Sequence, residues 1–269
     1  MTTGKIVQPS PNKLATAAWF VRRPSTYRHL AEMVRRSLSR STRTLETTRE
    51  EAAAWGEPLA LSPQEALRRL LGPGSYPSPR QIYPTVFADA DSRANASGML
   101  LGGAANLDLL YHITRGLPAH RVVETGVAYG WSSLAILLAQ EETGGGILAS
   151  TDMPYPRLGN EEQIGCVVPH RLRKHWTLIR QPDRPALPRV LARLGVIDLA
   201  HYDSDKTYAG QSWAFRRLWR NLRPGGLLIA DDIDCQTAFR DFASAMGLRP
   251  IVVDGVGKLI GVVRRPAAE

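Results

Sequence analysis

The 269-residue sequence predicts an α/β fold on a mostly parallel seven-stranded sheet, from three observations. From residue 121 onward near-continuous apolar runs alternate with helical runs, the pattern of strands buried on both faces between covering helices. The last two apolar runs are separated only by Asp254-Gly255-Val256-Gly257, too short for a helical crossover, so they form a terminal antiparallel hairpin. The first run ends in a glycine-bearing turn directly before a helix, as a ligand loop does.

In chain order, Tyr27, Leu30, Ala31, Val34 and Leu38 recur at helical spacing between arginines within the mostly helical stretch Leu14 to Leu45, with Pro24-Ser25 suiting a helix start. Ser62-Pro63-Gln64-Glu65 is a capping-box-like start with Pro at the first helical position, and the helix runs to Leu71, stopped by Gly72-Pro73-Gly74. Residues 72–95 carry four prolines among polar residues and are expected to form a loop or lid. Ser97 to Arg115 reads as an apolar helix. The predicted strands are Arg121–Glu124, Gly146–Ser150, Trp176–Arg180, Ile197–Tyr202, Leu227–Ala230, Pro250–Val253 and Leu259–Val263, with helices over Ser132–Gln140, Tyr208–Asn221 and Gln236–Met246. The expected organisation is an N-terminal helical extension over 1–96 and a sheet domain over 97–269.

Composition narrows the class. At 43% hydrophobic the chain can bury a sizeable core, and two cysteines, Cys166 and Cys235, argue against a disulfide scaffold or a thiolate zinc site. A reducing cytoplasm is expected, since no apolar run is long enough to span a bilayer and the N-terminus lacks the order of a signal peptide. The net charge of +9 is concentrated: residues 1–50 hold ten basic and three acidic side chains, against 24 and 22 in the remaining 219. Such a patch attracts nucleic acid, anionic lipid or a phosphorylated substrate, or is simply a solvated arginine-rich helix face.

The loop after the first predicted strand reads Glu124-Thr125-Gly126-Val127-Ala128-Tyr129-Gly130-Trp131-Ser132. Gly126 and Gly130 let the backbone pass close under a ligand, and the following helix adds its N-terminal amides. Ala128 replaces the middle glycine of a dinucleotide fingerprint, and the preceding carboxylate of Glu124 suits a cationic amino-acid ligand better than a diphosphate. A plain strand-to-helix turn capped by Ser132 is the alternative. The loop and the order of strands after it resemble the class I S-adenosylmethionine-dependent methyltransferases, with a Rossmann-like sheet, over residues 97–265. That resemblance implies that Gly126 and Gly130 underlie the methionyl part of the cofactor, that Glu124 lies beside its amino group and that Ser132 borders the site. It further implies that Asp152, after the second strand, accepts from the ribose hydroxyls and that Asp183 lies near the adenine. Turn and capping roles are the alternatives for both aspartates.

His201-Tyr202-Asp203-Ser204-Asp205-Lys206 leaves the fourth strand and Ala230-Asp231-Asp232 the fifth, so three carboxylates can meet at one sheet edge. An oxygen-rich group of this kind suits Mg²⁺ or another divalent cation. Asp-Ser-Asp-Lys-x-x-Tyr is similar to a segment of the cation-dependent O-methyltransferases of the caffeoyl-coenzyme A and catechol group. This implies Asp203, Asp231 and Asp232 as metal ligands, with Asp203 and Lys206 catalytic and Lys206 the base. Asp232 stands where that group has Asn, as in the macrolide-sugar enzymes. The expected activity is O-methylation of a small-molecule or glycoside hydroxyl, with a homo-oligomer possible. A nucleic-acid methyltransferase is the alternative enzyme, disfavoured by the missing Asn/Asp-Pro-Pro-aromatic sequence, and a non-catalytic membrane- or assembly-binding module the alternative class.

Overall fold

A computed structural model describes residues 13–267 apart from 28, 32–33, 35–41, 105, 157–158 and 256. The arginine-rich helix expected around Val34 and Leu38 falls largely outside the described residues. Helix α1 (Lys13–Val21), a 3-10 turn at Pro24–Thr26 and helix α2 (Thr42–Gly56) precede a two-residue strand, β1 (Ala60–Leu61). Helix α3 (Pro63–Leu71) starts as expected: Ser62 Oγ accepts from the Glu65 amide at 3.2 Å, and Pro63 needs no partner for an N–H it lacks.

Residues 72–95 are not a loop. Helices α4 (Pro79–Ile82) and α5 (Pro84–Ala96) occupy most of the segment, because Pro79 and Pro84 each sit in a first helical turn, where proline starts a helix rather than breaking one. Conversely, the helix expected from Ser97 begins only at α6 (Leu107–Gly116), capped by Asn106, whose side chain accepts from the Leu109 amide at 3.0 Å. Gly98, Gly102 and Gly103 lie in the non-helical stretch before it, and the first two have φ of +64° and +96°.

From there strands and helices alternate: β2 (Arg121–Thr125), α7 (Trp131–Glu142), β3 (Ile147–Thr151), α8 (His170–Arg173), β4 (Trp176–Ile179), α9 (Asp183–Leu194), β5 (Ile197–Tyr202), α10 (Tyr208–Asn221), β6 (Leu222–Ala230), α11 (Ala238–Ala245), β7 (Ile251–Asp254) and β8 (Leu259–Arg264). Helix α9 went unread because it contains Pro185 and Pro188; the first lies in the opening turn, where its missing amide costs nothing, and the second removes one interior bond.

The sheet order is β1-β7-β8-β6-β5-β2-β3-β4. The seven expected strands are all present, β8 runs antiparallel to β6 and β7, and the added β1 pairs parallel with β7. Alternate strand residues feed two cores. Val122, Leu148 and Leu199 pack with α3, α5, α6 and α7 through Leu67, Phe87, Leu110 and Leu134. Val123, Ala149 and Ala200 pack with α9, α10 and α11 through Leu187, Phe215 and Phe239. Residues 60–96 thus share the sheet and one of its cores.

Register places the site. Thr125 pairs with Thr151 and with Tyr202, and Tyr202 with Ala230, so four strands end level. The next residues, Gly126, Asp152, Asp203 and Asp231, therefore emerge side by side at the carboxyl edge, where open α/β sheets bind ligands.

Candidate active site

Gly126 has φ +82°, and a Cβ there would lie 2.0 Å from the Asp203 carbonyl oxygen. The glycine is required because the exits of β2 and β5 cross at this point. Bonds from the Gly126 amide to Thr151 O (2.8 Å) and from the Asp203 amide to Thr125 O (2.7 Å) tie the exit of β2 to those of β3 and β5. At Gly130, φ +93°, a Cβ would come within 2.9 Å of Gly165 Cα. Both glycines thus serve backbone packing, and of the two only Gly126 also reaches the cavity wall.

Asp152 holds the loop in place. Its Oδ2 accepts from the amides of Val127 (2.9 Å) and Ala128 (2.7 Å). Burial pushes its pKa up to about 6 although those two amides work in the opposite direction. Asp183 ties neighbouring strand ends together: Oδ1 accepts from Thr151 Oγ1 at 2.8 Å and Oδ2 from Ser204 Oγ, and burial likewise pushes it up to about 6.

Glu124 is wholly buried and does not face the cavity. Its Oε2 accepts from Ser150 Oγ at 2.7 Å and Ser133 Oγ at 2.5 Å, and Oε1 lies 3.5 Å from His201 Nδ1. The expected contact with a cofactor amino group therefore has no direct geometric support. His201, also fully buried, spans Glu124 and Asp231, with Nε2 3.4 Å from Asp231 Oδ1. Burial alone would lower its pKa, but the two carboxylates outweigh it and raise it to about 10. Asp231, against the cost of burial, is held down at about 2 by His201 and Lys258.

The remaining acids meet lysines. Lys206 Nζ contacts both Asp203 Oδ1 and Asp232 Oδ2, while Lys258 Nζ lies 2.6 Å from Asp231 Oδ2. Burial pulls the Lys206 pKa down, but Asp203 and Asp232 outweigh it and hold it above the ordinary lysine value. Asp232 has φ +54°, a region that Asn and Asp tolerate best among residues with a Cβ. Among the described residues, the three potential ligands whose donor atoms lie within 4.8 Å of one another are Asp232, Asp234 and Cys235; Asp203, Asp231 and Asp232 do not form such a set. The donor set does not fit a divalent ion: each expected ligand already faces an ammonium.

These groups border a cavity of about 810 Å³, within the range of small-molecule sites. Gly126, Ser132, Asp152, Asp183, Asp203, Lys206 and Asp232 line it; Glu124, Gly130 and Asp231 stand behind the wall. Three further lining residues escaped the sequence reading: His29 from the N-terminal segment, Trp213 from α10 and Lys258 from the β7–β8 hairpin. Only Lys258 carried a usable signal, since a hairpin closing at the carboxyl edge must present its turn there.

Residues 123–233 match the family model described as "Methyltransferase domain". This stretch is similar to a methyltransferase domain. Catechol O-methyltransferase domain-containing protein 1 of Mus musculus is 30% identical over 122 residues, 45% of this chain and 44% of that protein, so the chain spans under half of its length. The fold is shared with the O-methyltransferase TomG of Streptomyces achromogenes, involved in tomaymycin synthesis and solved with S-adenosylmethionine (TM-score 0.54, 17% identity, 79% of this chain and 99% of TomG). It is also shared with an O-methyltransferase of Bacillus cereus solved with S-adenosylhomocysteine (TM-score 0.52, 14% identity, 75% of this chain and 96% of that one). The matched stretch thus supplies the loop, the level strand ends and most of the cavity wall.

Proposed function

We propose that the chain is an S-adenosylmethionine-dependent O-methyltransferase acting on a hydroxyl of a small molecule or sugar. The observation that carries this reading is one cavity joining the loop at Gly126 and the start of α7 at Ser132 to the ionic cluster of Asp203, Lys206 and Asp232. Its acid-rich wall, with Asp152 and Asp183 beside that cluster, fits a ligand bearing ammonium and sulfonium charges. When bound, the cofactor supplies an electrophilic methyl group that a hydroxyl oxygen can take up.

The chain's own groups do the rest. Asp152 fixes the loop through its two amide bonds, and its place on the wall supports a ribose contact. Asp183 supports the adenine side by the same placement, and Asp203 and Asp232 hold the Lys206 ammonium against the cavity. A hydroxyl entering beside Lys206 is positioned by it and gives up its proton to the neutral amine as the oxygen–methyl bond forms. The methyl would leave the sulfonium sulfur as a neutral thioether, and Lys206 would act in the neutral form that a bound cation nearby favours. Metal assistance is left out because the donor set does not fit an ion.

The test is transfer of labelled methyl to a panel of phenols, catechols and glycosides. Wild type should label at least one, and Lys206→Ala should lose roughly 10²–10⁴ in rate, with Lys206→Arg no better because guanidinium keeps its proton. The Lys206 pKa is raised, so its base form grows as pH rises, and wild-type turnover should climb from about pH 7 towards 10. A Lys206→Ala protein with normal turnover and the same pH profile would remove the lysine from this role.

A further inference from the structure

We infer that Lys258 supplies Asp231 with the positive charge that cation-dependent relatives take from a divalent metal, making this chain's cavity a metal-independent one. The inference rests on the O-methyltransferase reading but concerns a residue that no family motif in the sequence contains.

Three features support it. Asp231 is 1% exposed, with Oδ2 2.6 Å from Lys258 Nζ and Oδ1 turned 3.4 Å from His201 Nε2, so both oxygens face nitrogen atoms of the protein. Lys258 is not a wandering surface lysine. The Gly255 amide donates to its carbonyl at 2.8 Å, the Leu259 amide donates to Asp234 Oδ1 at 3.0 Å, and the Ile233 amide donates to Leu259 O at 3.0 Å. The hairpin is therefore pinned to the exit of β6, and its lysine side chain lies on the cavity wall with 22% exposure. Finally, Lys206 joins Asp203 to Asp232, so all three acids at the strand ends have an ammonium.

A divalent ion at Asp231 would have to displace the Lys258 ammonium or sit beside it, and two cations at one carboxylate repel. Removing the ammonium leaves Oδ2 of this buried carboxylate unpartnered, with His201 beside Oδ1 as the remaining positive neighbour, and an incoming metal can take the vacated place. At Asp231 the place of a metal is thus taken by one hairpin residue, and substitution of that residue reopens it.

Calorimetric titration of the full chain with MnCl₂, in the presence of S-adenosylhomocysteine, tests this. Wild type should show no saturable Mn²⁺ binding up to about 1 mM. Lys258→Met should bind Mn²⁺ at least roughly tenfold more tightly, and Lys258→Arg, which keeps the charge, should behave as wild type. Wild type binding Mn²⁺ well below 1 mM overturns the inference, and so does Lys258→Met that still binds S-adenosylhomocysteine yet gains no Mn²⁺ affinity. If Lys258→Met does not fold, the wild-type and Lys258→Arg titrations decide alone. Wild type that fails to take up S-adenosylhomocysteine refutes the cofactor reading instead, a separate outcome visible in the same instrument.

Discussion

Gly126 and Ala128, two positions apart in the loop after β2, have positive φ for opposite reasons. Gly126 must be glycine, since a Cβ would strike the Asp203 carbonyl, whereas Ala128, φ +49°, bears a Cβ in a conformation that costs it energy. Gly126→Ala should therefore destabilise the protein by about 3 kcal/mol or more, the upper range of overpacking with backbone strain added. Ala128→Gly should stabilise it by about 0.5–1 kcal/mol, the relieved strain partly offset by the freer unfolded chain. Thermal unfolding of the two variants checks both signs, and equal effects would contradict the crossing of strand exits described above. A loss of cofactor affinity in Gly126→Val would accordingly report a disrupted backbone before it reported a blocked ligand path.

Elements bring these residues together, and here the sequence was legible wherever a pattern was local. The ends of β5 and α10 and the Ser62 cap follow from apolar runs and capping chemistry within a few residues. Proline-bearing segments were misread, because Pro79, Pro84 and Pro185 look like breaks until their position in a first turn is known. Asp152, Asp203, Lys206 and Asp232 could be placed at one edge because parallel strands end level. The turning of Glu124 away from the cavity, and of Lys258 towards it, depends on side-chain direction and on a hairpin distant in sequence. Helix α4 has a comparable hidden role: the Arg80 guanidinium lies 5.0 Å from the Phe87 ring centroid and 4.9 Å from that of Trp131, while pairing with Asp91. It clamps α5 to the start of α7, where Trp131 borders the cavity. Arg80→Met should cost about 1 kcal/mol in denaturant unfolding, and Arg80→Lys should recover only part of it, since lysine lacks the planar fork. An Arg80→Met protein as stable as wild type would show that the clamp contributes nothing.

Across the whole molecule, the basic N-terminal segment is joined to the sheet domain. Arg23 pairs with Glu161 at 3.0 Å and His29 reaches the cavity wall; beyond that segment, β1 extends the sheet beside β7. Part of its charge thus meets the protein itself. No helix among the described residues is long and apolar enough to cross a membrane. Everything proposed for the carboxyl edge depends on S-adenosylmethionine occupying the 810 Å³ cavity between the Gly126 loop and the Asp203–Lys206–Asp232 cluster. Calorimetric titration of the wild-type chain with S-adenosylmethionine examines that occupancy without needing the acceptor. A saturable one-to-one heat is expected; a folded protein giving no heat up to about 1 mM cofactor would contradict the assignment.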